Sequence, residues 1–260
     1  MEIGKEEIRL RKGVDTYLRE GSFGGTEKNV QVMMEWEREY MYACVDSLNL
    51  SGKDDVLEIG FGMGCSASRI QSKRPKSHTI VECDRAIIKD IENWKRSVKA
   101  ENVVVIESTW QDFLSSSRSD KSYDCVFFDD FPISIENKQN DRLRLAAEML
   151  GSRWHVFISM VCSRLSDRAR ITGYMAEMIK WNRKDITLNF QSFPVVIPDH
   201  CVYAKGKSNM YVPLFRKNVV ENSTGIDKFG PVKNNNNQRP VKKRRRRFLK
   251  KVLRQLGMEE

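Results

Sequence analysis

No stretch of this 260-residue chain approaches the roughly 20 apolar residues that a bilayer span requires. Its first residues, Met1-Glu2-Ile3-Gly4-Lys5-Glu6-Glu7, lack the apolar segment of a secretory signal. A chain with neither a membrane span nor export is therefore expected. The six cysteines, Cys44, Cys65, Cys83, Cys125, Cys162 and Cys201, contain no Cys-x-x-Cys pair. That weighs against a disulfide framework and against structural zinc. With only three histidines, far apart in sequence, a metal centre would be short of ligands. Reduced, buried thiols in a cytoplasmic protein are the expectation.

The formal charge of +10 is unevenly placed. Residues 217–260 carry 13 basic and 4 acidic side chains, and the rest of the chain carries 32 and 31. The body is thus nearly neutral, and a basic pI is no argument that it binds nucleic acid. The tail holds an asparagine run (234–237) and an unbroken basic block (242–247). Such composition favours disorder. Phe248, Leu249, Val252, Leu253 and Leu256 recur at helical spacing among basic residues. A solubilising tail, a nuclear-import or nucleic-acid patch, and a helix for a membrane surface or an acidic partner all fit. Three segments are expected: a lid segment at 1–29, a folded domain at 30–216 and a polybasic tail at 217–260. Nuclear entry through 242–247 would add to a cytoplasmic location, and the chain would be a monomer or a homodimer.

Five short apolar segments read as buried strands: 56–59, 79–81, 103–106, 125–128 and 156–158. Stretches with apolar residues at helical spacing, such as 86–98, separate them. This alternation predicts an α/β fold: a doubly wound, mostly parallel, seven-stranded Rossmann-like sheet with an N-terminal helical lid. A helix near 171–181 and closing strands at 186–196, 201–204 and 210–215 complete the expectation.

The most informative stretch is Val56-Leu57-Glu58-Ile59-Gly60-Phe61-Gly62-Met63-Gly64, a strand running into a Gly-x-Gly-x-Gly turn, with a helix expected from about Ser66. Such a turn lets a ligand approach the main chain closely. The next strand ends in Glu82, at the spacing expected of a ribose-binding acid. Cys65 stands where a dinucleotide fingerprint would continue, and no Gly-Lys-Ser/Thr is present. Glu58 would repel a pyrophosphate and suits a cation. These features favour S-adenosylmethionine, whose sulfonium is positive.

Two carboxylates point to the acceptor. On a helix expected over 32–48, Glu37 shares the apolar stripe of Met33, Tyr40, Met41, Cys44, Val45 and Leu48. A carboxylate there calls for a partner, although it could also lie at the margin or pair with a structural arginine. The second acid, Asp129, closes the fourth strand, where ligands of doubly wound sheets bind. Asp130 reads better as a turn or cap acid. Asp129-Asp130-Phe131-Pro132 does not fit the Asn/Asp-Pro-Pro-Tyr/Phe of methyltransferases acting on base amines or glutamine amides. Two carboxylates suit a cationic acceptor rich in N–H groups.

Met33-Met34-Glu35-Trp36-Glu37, Tyr40-Met41, Leu57-Glu58-Ile59-Gly60-Phe61-Gly62-Met63, Val81-Glu82-Cys83, Trp110-Gln111-Asp112 and Phe128-Asp129-Asp130-Phe131-Pro132 together resemble the guanidinoacetate N-methyltransferase and protein arginine delta-N-methyltransferase family. The resemblance runs from about Val30 to Phe215. It implies cofactor contacts from Met33, Met41, Phe61, Gly62, Met63, Gly64, Cys65, Ser66, Glu82, Cys83, Asp84, Thr109 and Trp110, to which the turn reading adds Glu58, Gly60 and Asp129. It implies that Glu37 and Asp129 hold a guanidino group, first that of a small molecule such as guanidinoacetate, giving creatine; arginine in a protein is the alternative, and a non-catalytic adaptor with a nucleic-acid-binding tail comes after both. Asp129 is expected to act as base and Glu37 to orient and neutralise. Two departures stand out. The family's Asp-Thr-Tyr-Pro is Asp129-Asp130-Phe131-Pro132 here, and its substrate-carboxylate pattern Leu-Thr-Ser is missing near Cys162-Ser163, where it is expected.

Overall fold

The computed structural model describes residues 9–12, 16–23, 26–116, 121–130 and 152–218, with side chains from Met33 onward. The chain forms two compact units, Met1–Ile133 with Ile158–Asn218, and Ser134–Phe157 with Val219–Glu260. The basic block, the amphipathic stretch and Phe131-Pro132 lie outside the described residues.

The first unit carries a seven-stranded sheet. In chain order its strands are β4 (Asp55–Ile59), β5 (Ser77–Glu82), β6 (Val103–Glu107), β7 (Tyr123–Phe128), β8 (Leu165–Gly173), β9 (Ile186–Pro194) and β10 (Asn209–Lys217). They lie in the order β6-β5-β4-β7-β8-β10-β9. The first five in this order pair in parallel, and β10 inserts antiparallel between β8 and β9. Helices α2 (Cys65–Ser72), α3 (Arg85–Val98) and α4 (Trp110–Ser115) connect the parallel strands. The buried apolar runs of β4, β5 and β7 agree with a sheet covered on both faces. The expected sheet class is thus observed.

Ahead of β4 the chain differs from the expected helical lid. Residues 9–34 contain three antiparallel strands, β1 (Arg9–Lys12), β2 (Thr16–Phe23) and β3 (Thr26–Met34). Only then follow a 3₁₀ turn, Glu35–Glu37, and helix α1 (Arg38–Ser47). Residues 32–34 therefore extend a strand, because Met33 and Met34 pair with Tyr17 and Thr16. The apolar stripe was legible, but its first members sit on β3.

Three further expectations are corrected. Residues 156–158 are helical, within α5 (Arg153–Val161). A continuous apolar run fits a buried strand or a buried helix equally, and burial of Trp154, Phe157, Ile158 and Val161 has the helical i, i+3, i+4, i+7 spacing. The fifth parallel strand is instead β8, whose charged first half hid it. Arg170 there is paired with Asp54 at 2.7 Å. The helix expected over 171–181 is absent, since 171–173 end β8. A β-carbon on Gly173, at φ +154°, would fall 1.9 Å from the Phe128 carbonyl oxygen. Finally, 201–204 form a turn and no strand, with Cys201 N–H donating to Pro198 C=O at 2.9 Å.

Candidate functional site

The register of the parallel strands decides which residues meet. Ile59 lies opposite Val81 and Phe128, and Phe128 lies opposite Gly173. The following residues, Gly60, Glu82, Asp129 and Tyr174, therefore share one edge of the sheet. Strand order reverses between β4 and β7, so this edge contains the crevice where doubly wound sheets take ligands.

Gly60 sits at φ +79°, and a β-carbon on it would lie 2.1 Å from the Asp129 carbonyl oxygen. The Asp129 N–H donates to the Ile59 carbonyl at 3.0 Å, extending the β4–β7 ladder by one residue. Met33 covers the turn, with its sulfur 3.2 Å from where a β-carbon on Gly62 would stand. Phe61 packs edge-on against Trp94 at 5.4 Å. Gly62 and Met63 stay partly exposed, whereas Gly64, Cys65 and Ser66 are buried at the start of α2.

Glu82 ties the strand end to the turn. One oxygen accepts the Phe61 N–H at 3.2 Å, and the other accepts those of Cys83 and Asp84 at 2.7 and 2.9 Å. Burial raises its carboxyl above the usual range, against the pull of these bonds. Asp84 caps α3 through the Ala86 N–H at 2.9 Å. Thr109 caps α4 by accepting the Asp112 N–H at 3.1 Å. Trp110 packs edge-on against Phe128 at 5.7 Å, and its indole N–H donates to Asp130 at 2.9 Å. Asp130 thus holds the start of α4, as a turn acid would.

Two expected cofactor residues lie inside the protein. Met41 is buried among Tyr40, Cys44 and Val45. Glu58 is fully buried, with Ser66 Oγ on one oxygen and His78 Nε2 at 2.8 Å on the other. Gln71 Nε2 lies 3.1 Å from Nδ1 of His78, which assigns the donated proton to Nε2. The expectation of Glu58 as a ligand-facing carboxylate gives way to an internal one: its side chain joins β4 to β5 and α2.

Glu37 occupies the 3₁₀ turn ahead of α1 and is 2% exposed. Its Oε1 accepts the Met34 N–H at 2.9 Å and the Tyr203 hydroxyl. Its Oε2 accepts no hydrogen bond among the described residues. Burial pushes the carboxyl up to about 7, with the two hydrogen bonds pulling the other way. Arg38, its neighbour in sequence, is occupied by Glu35.

Tyr174 feels the charge of both acids. Burial and the charges of both Glu37 and Asp129 raise its phenol far above its ordinary range. Glu37 also acts on the Cys65 thiol at the head of α2, and Asp129 on that of Cys44. Tyr40 braces the same region, accepting the Met175 N–H at 2.8 Å and donating to the Tyr211 carbonyl at 2.7 Å. Tyr203-Ala204 is part of the family resemblance, but neither Tyr203 nor Tyr174 is a site residue by sequence. The expected helix concealed Tyr174, and nothing in sequence announces that Tyr203 reaches Glu37 across 166 positions.

Cys162-Ser163, the expected substrate-carboxylate position, forms a 3₁₀ turn at the start of β8. It therefore lies at the opposite strand end from Gly173. The residues that follow β8 are Tyr174-Met175-Ala176-Glu177.

The donor set fits S-adenosylmethionine: an open glycine turn and a strand-end acid joined to it. Among the described residues no group of three or more His, Cys, Asp or Glu could hold a metal ion. No described helix is long and apolar enough to cross a membrane.

Comparison with known proteins agrees. The family model for guanidinoacetate N-methyltransferase matches residues 26–150. Protein arginine N-methyltransferase 2 of Candida glabrata is 36% identical over 120 residues, covering 43% of this chain and 28% of the relative. Its Saccharomyces cerevisiae counterpart is 30% identical over 108 residues, covering 38% and 26%. The chain thus spans little more than a quarter of the length of these relatives. Among solved structures, a putative methyltransferase, yhhF, from Escherichia coli aligns with a TM-score of 0.49 at 16% identity, covering 74% of this chain and 93% of that one. Over residues 26–150, just under half of its length, the chain is similar to this family of S-adenosylmethionine-dependent methyltransferases, which indicates S-adenosylmethionine as its cofactor.

Proposed function

We propose that the protein transfers a methyl group to a guanidino nitrogen, with arginine in a polypeptide as the acceptor. One observation carries the guanidino part: Glu37 is buried, and its only hydrogen-bond partners among the described residues are a main-chain N–H and a phenol. Burying a carboxylate without a cation costs several kcal/mol, so the site is short of one positive charge. A guanidinium supplies that charge together with a planar fork of N–H donors.

The cofactor brings an electrophilic methyl on a sulfonium. The turn at residues 60–64, covered by Met33, would bind it, with Glu82 toward the ribose and Thr109-Trp110 toward the adenine. A guanidinium has no free electron pair at neutral pH, so attack requires loss of a proton. Glu37 binds and orients the N–H groups through Oε2. Asp129, beside the glycine turn, holds the attacking nitrogen and accepts the proton as the N–C bond forms. Fixing donor and acceptor in line contributes on the order of 7–11 kcal/mol.

Two features favour a polypeptide acceptor. The relatives are named for protein arginine. The residues after β8, Tyr174-Met175-Ala176-Glu177, lack the Leu-Thr-Ser pattern for a small substrate's carboxylate and add an exposed acid. A small guanidino compound, guanidinoacetate included, is the second reading, favoured by the family match. Methyl-labelled cofactor offered with guanidinoacetate or with arginine-bearing polypeptides separates them. Label on a polypeptide guanidino nitrogen is expected, and no label on any guanidino compound would refute the proposal.

A further inference from the structure

Three buried or nearly buried carboxylates surround the nucleotide edge, and they are used differently. Glu58 engages both oxygens, with Ser66 and His78. Glu82 engages both, with Phe61 on one and Cys83 and Asp84 on the other. Glu37 receives both of its bonds on Oε1. An internal carboxylate that serves only the fold satisfies both oxygens, as Glu58 does. Two donors on one oxygen instead fix the plane of the carboxylate and leave the second oxygen for something else.

One of these donors comes from far along the chain. Tyr203 lies in the connection between β9 and β10, which is pinned at its base by Val195 N–H to Ser208 C=O at 3.0 Å. Cys201 and Ala204 are buried against Met34, and Tyr203, Trp36 and Ile197 pack on this cluster. The Tyr203 ring stacks on Trp36 with centroids 6.4 Å apart and 29° between planes. Packing therefore sets where the phenol points, and it points at Glu37.

Resting on the guanidino reading above, we propose that Tyr203 is a positioning residue for the acceptor: its hydroxyl locks Oε1 of Glu37 so that Oε2 is presented to the guanidino group. Loss of the hydroxyl frees the carboxylate to rotate and removes a donor that favours its charged form. The titratable groups coupled to Glu37 are Tyr203 from the β9–β10 connection, Tyr174 after β8 and Cys65 on α2, with Glu35 and Arg38 beside it in sequence. Asp129, like Glu37, acts on Tyr174. Of these, Tyr203 is the side chain that hydrogen-bonds to Glu37.

The test is Tyr203→Phe in the full chain, which keeps the ring on Trp36. Cofactor affinity by calorimetry should stay within about twofold. The kcat/KM for the guanidino acceptor should fall about ten- to a hundredfold, and the acid limb of its pH profile should move to higher pH. In a Glu37→Gln background the same substitution should have little further effect. Unchanged kcat/KM and an unmoved acid limb, in a protein whose wild type methylates guanidino acceptors, would overturn the inference. So would a loss of cofactor affinity matching the loss of turnover, since Tyr203 would then merely hold the fold. A wild type that methylates no guanidino compound would overturn the functional reading and this inference together.

Discussion

The Gly60 α-carbon is so close to Asp129 that a β-carbon added to it would stand 2.1 Å from that residue's carbonyl oxygen. The glycine turn assigned to the cofactor and the acid assigned to the acceptor are thus built against each other. Gly60→Ala should destabilise the protein by at least about 2 kcal/mol, from the overlap and from the positive φ together. Urea unfolding and cofactor calorimetry check this, and both stability and affinity should fall.

Glu37→Gln should separate stability from function. The folded carboxyl is raised to about 7 from an ordinary 4.5. The penalty of its buried charge is therefore absent below about pH 4.5, grows as pH rises, and is complete above 7. Removing the charge should stabilise the protein by about 3 kcal/mol at pH 8 and hardly at all at pH 4. Denaturant unfolding at the two pH values measures this. Turnover should be lost at both, and wild-type kcat/KM should decline as pH falls through about 7.

Asp129→Asn should bind the cofactor within a few-fold of wild type and lose at least about a hundredfold in kcat. Its amide can still hold a guanidino nitrogen but cannot take the proton. Pre-steady-state methyl transfer with saturating cofactor reads this directly.

Glu58→Gln tests the internal assignment. An amide cannot accept from both Ser66 and His78, so stability should drop by about 1–3 kcal/mol. Cofactor affinity should change less than threefold. A loss of affinity beyond tenfold with intact stability would return Glu58 to the ligand.

The parallel strands around the glycine turn were legible because β-branched and aromatic runs there are short and bounded by turns. The meeting of Gly60, Glu82 and Asp129 at one sheet edge was legible because it needs only the register of the strands. The second half was harder to read. The apolar run at 154–161 is helical while the charged 165–173 is a strand, because ion pairs such as Arg170–Asp54 allow polar residues on a sheet. Tyr174 and Tyr203 were hidden for related reasons, since their roles depend on where β8 ends and on a contact between distant segments.

The central claim is that Glu37 and Asp129 converge on one planar cation. A crystal structure of the full chain with S-adenosylhomocysteine and an arginine-bearing peptide tests it most directly. We predict one guanidinium bonded at about 2.7–3.2 Å to both carboxylates, with Oε2 of Glu37 as one acceptor and Tyr203 still on Oε1. A guanidinium held by only one of the two acids, or bound elsewhere, would contradict the account.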